Sequence, residues 1–114
     1  MLASKYCLKN EKDFARVEAE GKIIHSETFG IAFYDRKDKE TSKFGFIVSN
    51  KISKEATLRN RVKRALKAAV RYSFSDLKKG FDVVFLAKQN ILRKTTEEIM
   101  NEAKEALEKA DLYA

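Results

Sequence analysis

Two short runs carry the residues best placed for chemistry: Ser49-Asn50-Lys51, and Leu58-Arg59-Asn60-Arg61-Val62-Lys63-Arg64. Guanidinium and ammonium groups donate hydrogen bonds and hold fixed positive charge, and the planar fork of arginine matches a phosphate. From Lys51 to Lys79, ten Lys or Arg stand against two acids, Glu55 and Asp76. The rest of the chain nearly balances, with fourteen bases and fifteen acids. The net charge of +7 therefore sits in one segment, which is the footprint of a polyanion-binding surface. The competing reading is the solvated face of an ordinary amphipathic helix. Against it, no Glu follows at i+4 to neutralise the bases from Arg59 to Arg71, so the face repels itself unless a partner supplies negative charge.

Other chemistries find little support. His25 is the only histidine and has no partner at metal-ligand spacing, so it reads as a surface or loop residue. Cys7 is the only cysteine, which excludes a disulfide framework and fits a reducing compartment. It has neither a base nor an orienting group in view and reads as a small, partly buried side chain. There is no P-loop, no GxGxxG and no Gly-Ser elbow, and the acids fall in no acid/base constellation. No catalytic residue and no metal ligand is assigned to the chain. The residues alone describe an RNA-binding module rather than a stand-alone enzyme.

The 114 residues suggest one domain, with 44% apolar and 36% charged residues in a globular balance. Proline is absent and there are four glycines, so no linker is visible. No apolar run approaches the roughly 20 residues of a membrane span. Met1-Leu2-Ala3-Ser4-Lys5 lacks the apolar region of a signal peptide, so a cytoplasmic protein without membrane contact is expected.

The elements that must position the basic run follow from periodicity. Val62, Ala65, Leu66, Ala69 and Val70 recur at helical spacing and form one apolar stripe. Asn60, Lys63, Arg64, Lys67 and Arg71 fall on the other side, and Arg59 and Arg61 flank the stripe. Lys51 and Lys54 lie in the loop before the helix, placed to reach the same polyanion. Upstream, residues 10–20 read as a helix with Asn10 as N-cap and Gly21 as the residue after its end. Lys22 to His25 reads as a short strand, and Thr28 to Tyr34 alternates as another. Phe29, Ile31 and Phe33 are expected in the core; Gly30, Ala32 and Tyr34 leave a shallow surface on the other face. Asp35 to Lys43 reads as a charged, solvated hairpin turn to a strand at Phe44 to Ser49. Within that strand, Gly45 leaves the sheet open to close approach. Phe81 to Ala87 is a nearly continuous apolar run, the pattern of a strand covered on both faces. Thr95 to Glu98 makes a capping box for a last helix with an Ile99, Ala103, Ala106, Leu107 and Ala110 stripe. From Glu97 to Asp111 that helix carries six acids and two bases, and is expected to back the sheet rather than touch RNA.

The strand end at Ser49-Asn50-Lys51 and the run Leu58 to Arg64 resemble the signature of the bacterial ribonuclease P protein subunit. The resemblance extends over nearly the whole chain, through Leu8, Lys9, Asp13 and Phe14, Gly45, and Asp82 to Ala87. Asn50 stands where that family usually has a second Lys, and Glu18 where some relatives have an aromatic. The resemblance implies a single-domain α+β two-layer sandwich of order αβββαβα, shared with a domain of a small-subunit ribosomal protein, with a left-handed βαβ crossover. It implies an accessory subunit of an endoribonuclease whose catalytic centre is a separate RNA holding Mg²⁺ ions. On this reading Arg59, Asn60, Arg61, Lys63, Arg64 and Lys67 contact the catalytic RNA, supported by Lys51, Lys54 and Arg71. Phe14, Phe33 and Tyr34 would line a cleft for the 5′ leader of precursor transfer RNA, with Phe14 equally readable as core. One protein per RNA is expected. Two other classes stay open: a ribosomal or ribosome-assembly protein, and a DNA-binding module that sets the basic helix in a major groove.

Overall fold

The computed structural model describes residues 3–114. Met1 and Leu2, which begin the stretch read above for a signal peptide, lie outside them. The elements are α1 (Glu11–Glu20), β1 (Lys22–His25), β2 (Phe29–Asp35), β3 (Lys43–Ile47), α2 (Ala56–Ser73), β4 (Phe81–Ala87) and α3 (Thr96–Lys109). This is the expected order αβββαβα in an α+β fold.

The sheet order is β1-β2-β4-β3, with β4 antiparallel to β2 and parallel to β3. The expected β2–β3 hairpin is therefore wrong. β4 is a nearly continuous apolar run and takes a central position, paired along both edges, with the main core on one face and α1 over part of the other. The segment between β2 and β3 must then wrap the start of β4. Arg36 N donates to Gly80 O at 2.8 Å, and Gly80 N donates to Glu40 O at 2.7 Å. Gly80 sits at φ +87, and a Cβ there would also meet the Asp38 carbonyl oxygen, so both conformation and space require glycine.

One face of the sheet carries the main core. Phe29, Ile31, Phe44, Val83 and Phe85 meet the whole predicted stripe of α2 and the Ile99, Ala103, Ala106 and Leu107 stripe of α3. Each large side chain buried here contributes about 1.5–3 kcal/mol. α3 begins with the predicted capping box: Glu98 N donates to Thr95 Oγ1 at 3.1 Å, and Thr95 N donates to Glu98 Oε1 at 3.0 Å.

The other face is only partly covered. α1 lies across β2 and β4 over a smaller cluster of Leu8, Val17, Ala32 and Val84. Asn10 holds the N-cap position without a side-chain cap bond. Gly21 ends α1 at φ −79 rather than in the left-handed region expected. Its small size is needed for another reason: a Cβ would strike the carbonyl oxygens of Val17 and Phe33.

Candidate nucleic-acid interface

The basic run forms the outer face of α2. Asn60, Arg64 and Arg71 are exposed there, and Lys63 and Lys67 half-buried. Lys51 and Lys54 are exposed in the preceding loop. Lys67 Nζ stands 5.9 Å from the Phe46 ring centroid, which carries the cationic surface from the helix to β3. None of these bases forms an ion pair among the described residues. An unneutralised cationic ridge in this geometry presents donors to successive phosphates.

The two arginines of the Arg-Asn-Arg core differ from the rest. Arg59 Nη1 donates to Ser53 O at 2.7 Å, closing the loop back on the helix. Arg61 donates through Nη1 to Lys94 O at 3.1 Å and through Nη2 to Leu92 O at 3.3 Å. Arg61 therefore ties α2 to the turn before α3, and part of its donor capacity serves the fold.

On the opposite face, α1 and the sheet enclose a cleft of about 390 Å³. Phe14, Val17 and Glu18 line one wall, and Ala32, Val84, Leu86, Ile23 and Ile47 the floor and far side, with Gly21 and Lys22 at one end. Ile23 is 52% and Ile47 40% exposed, an unusual display of large apolar groups on a small protein. The surface is shallow because Gly30, Ala32 and Gly45 share this face. Gly45 is not vacant, however: a Cβ there would lie 2.5 Å from the Phe14 ring, so Phe14 occupies the space the glycine leaves. Phe14 is both core and cleft wall.

The other aromatics expected in the cleft are placed differently. Phe33 shares the face of Phe29 and Ile31 and packs against the main core, so the leader-cleft assignment of Phe33 is corrected. The physical reason is the two-residue period of a strand, which puts 29, 31 and 33 on one side. Tyr34 is on the cleft face but beyond its lining, with its ring 5.3 Å from the Arg16 guanidinium.

That end of the cleft holds residues that sequence patterning missed. Asp82 is 1% exposed on β4. Arg16 of α1 donates to its Oδ2 at 3.3 Å, and Arg36, from the segment after β2, donates to its Oδ1. Arg16 also holds Asp13 at 2.6 Å, and Arg36 holds Asp38 at 2.9 Å. The Arg36 guanidinium is pushed above its ordinary value, chiefly by its hydrogen bond to Asp38, and the Asp38 carboxyl is lowered by the same bond. An acid inside the apolar run of β4 was the one available signal. This donor set does not suit a metal ion, because both oxygens of the buried carboxylate are already held by arginine.

Fold and surfaces together define a small α+β protein with a cationic helix on one side of its sheet and an apolar, open cleft on the other. Comparison with known proteins narrows this class. A family model described as Ribonuclease P matches residues 2–111. The ribonuclease P protein component of Syntrophomonas wolfei is 32% identical over 100% of this chain and 94% of its own length. That of Caldanaerobacter subterraneus is 34% identical over 93% of this chain and 90% of its own. The structure of the Staphylococcus aureus RNase P protein superposes with a TM-score of 0.89 at 27% identity, covering 96% of this chain and 98% of that one. The chain belongs to the ribonuclease P protein family.

Proposed function

We propose that this chain is the protein subunit of ribonuclease P, one copy per catalytic RNA, acting in the cytoplasm on precursor transfer RNA. Its ridge of Asn60, Lys63, Arg64, Lys67 and Arg71, with Lys51, Lys54 and the remaining donors of Arg59 and Arg61, binds phosphates of the catalytic RNA. Its cleft, lined by Phe14, Ile23, Ile47 and Leu86 with Lys22 at the end, holds the single-stranded 5′ leader. Apolar walls suit unstacked bases, since every base has a π-face. The observation that carries this reading is the placement of the two surfaces on opposite faces of one sheet. A protein so built bridges two RNA segments and adds affinity for precursor over mature transfer RNA, which is discrimination by differential binding. Mg²⁺, which activates water for phosphodiester hydrolysis, is assigned to the RNA.

The test is reconstitution with a bacterial ribonuclease P RNA at low Mg²⁺, following cleavage of a precursor transfer RNA. Restored cleavage that weakens as the leader is shortened supports the reading. Binding without stimulation would move a ribosomal RNA partner to the front, and equal affinity for duplex DNA at matched salt would favour the groove-binding class.

A further inference from the structure

Among the described residues, three large apolar side chains are notably exposed: Ile23, Ile47 and Tyr72. The first two belong to the cleft. Tyr72 does not. It is 75% exposed near the C-terminal end of α2, the most exposed of the three. Ala68 lies one turn back on the same side of the helix, and Arg71 is its neighbour. Together these three line an open hollow beside the ring. Lys104 of α3 places its Nζ 5.0 Å from the ring centroid, so a cation already faces the π-system. At about 100° per residue, Arg64, Lys67, Ala68, Arg71 and Tyr72 share one continuous outer face.

We infer that Tyr72, with Ala68 and Arg71, is a stacking platform for one unpaired nucleobase of the RNA held on the α2 ridge. The inference rests on the proposed function and extends it. The alanine leaves room for a base to lie along the ring. Arg71 reaches the phosphate of the same nucleotide. Lys104 keeps this border cationic on a helix otherwise rich in acid. The complementary charge of the ridge selects a nucleic acid rather than an apolar protein surface as the occupant. Stacking also adds what the ridge lacks, since phosphate contacts hold any backbone whereas a stacked base requires an unpaired nucleotide at that point.

The experiment measures affinity for a bacterial ribonuclease P RNA across a salt series, using the full chain and its Tyr72→Ala, Tyr72→Phe, Tyr72→Trp and Arg71→Ala variants. Tyr72→Ala is expected to lose roughly fivefold to a hundredfold in affinity with its salt slope unchanged, because stacking releases no counterions. Tyr72→Phe should retain affinity, and Arg71→Ala should lower the slope. The chain has no tryptophan, so Tyr72→Trp supplies a single reporter whose emission should be quenched on binding RNA. Unchanged affinity of Tyr72→Ala, or an indole emission in Tyr72→Trp that RNA leaves unaltered, would overturn the platform while the ridge stands. Failure of the unsubstituted protein to bind that RNA would overturn the proposed function together with the platform.

Discussion

At the scale of single residues, the most consequential side chain outside the cationic ridge and the cleft lining is Asp82. Its carboxylate is almost wholly buried and joins Arg16 of α1 to Arg36 of the segment wrapping β4. Removing one partner of such a cluster leaves charge without compensation, typically at about 3–5 kcal/mol. Arg16 is 39% exposed and can rehydrate, so Asp82→Ala is expected near the lower bound, about 3 kcal/mol, measured as a lowered urea midpoint. Arg16→Ala should cost about 1 kcal/mol, since water replaces part of what it loses. If Asp82→Ala unfolds at the wild-type urea concentration, the cluster has no part in holding α1 to the sheet. Gly45 gives a second residue-scale prediction. A methyl at 45 collides with the Phe14 ring, so Gly45→Ala should cost about 1–3 kcal/mol, or push the ring into the cleft and weaken leader binding. A variant with unchanged stability and unchanged leader dependence would contradict the packing described.

At the scale of elements, α2 and α3 are stabilised by different means. α2 starts after Glu55 with no side-chain cap, and Arg59 and Arg61 instead tie its first turns to neighbouring carbonyls. Alanine at either position therefore weakens the cationic ridge and the fold together. Arg64→Ala with Arg71→Ala is the cleaner probe, because both side chains are exposed and donate to no protein acceptor among the described residues. The pair should weaken RNA binding and lower the salt slope by about 0.9 for each duplex phosphate no longer neutralised. A slope equal to wild type would remove these arginines from the phosphate-binding face. α3, by contrast, depends on its capping box, and Thr95→Ala should cost about 1 kcal/mol. The Glu98 carboxyl is held below its ordinary value of 4.5 by the backbone N–H of Thr95 first and its side chain second. A lowered folded value means that its contribution is present above about pH 4.5 and is lost as pH falls through the lower folded value. Glu98→Gln should flatten the pH dependence of thermal stability in that acidic window, and a parallel profile would show that the bond does not persist in solution.

At the scale of the whole molecule, charge and apolar surface are segregated around one sheet. The cationic ridge lies on the helical side, beside the acid-rich α3. The cleft lies on the other side, where only α1 covers the strands. The described residues span about 37 × 26 × 25 Å, so both surfaces are within reach of one folded RNA. No helix among them is long and apolar enough to cross a membrane.

Much of this was legible from the chain of residues. The stripe of α2, the capping box of α3, the element order and the concentration of charge all arise from local periodicity and composition, which depend on neighbours a few positions apart. The alternation of β2 correctly put Phe29 and Ile31 inside, and it also argued against placing Phe33 in the cleft. Strand adjacency was not legible, because hydrogen bonding between strands leaves no mark in either partner's own period: β4, which follows β3 by a whole helix, separates it from β2. The Asp82 cluster was hidden for the same reason, as its three partners lie far apart in the chain and meet only when β4 is enclosed. The dual part of Phe14 likewise depends on Gly45 lying beneath it, a contact made when α1 folds across the sheet. Short-range order follows from residue type and spacing; the cleft and the buried charges exist only where distant segments pack together.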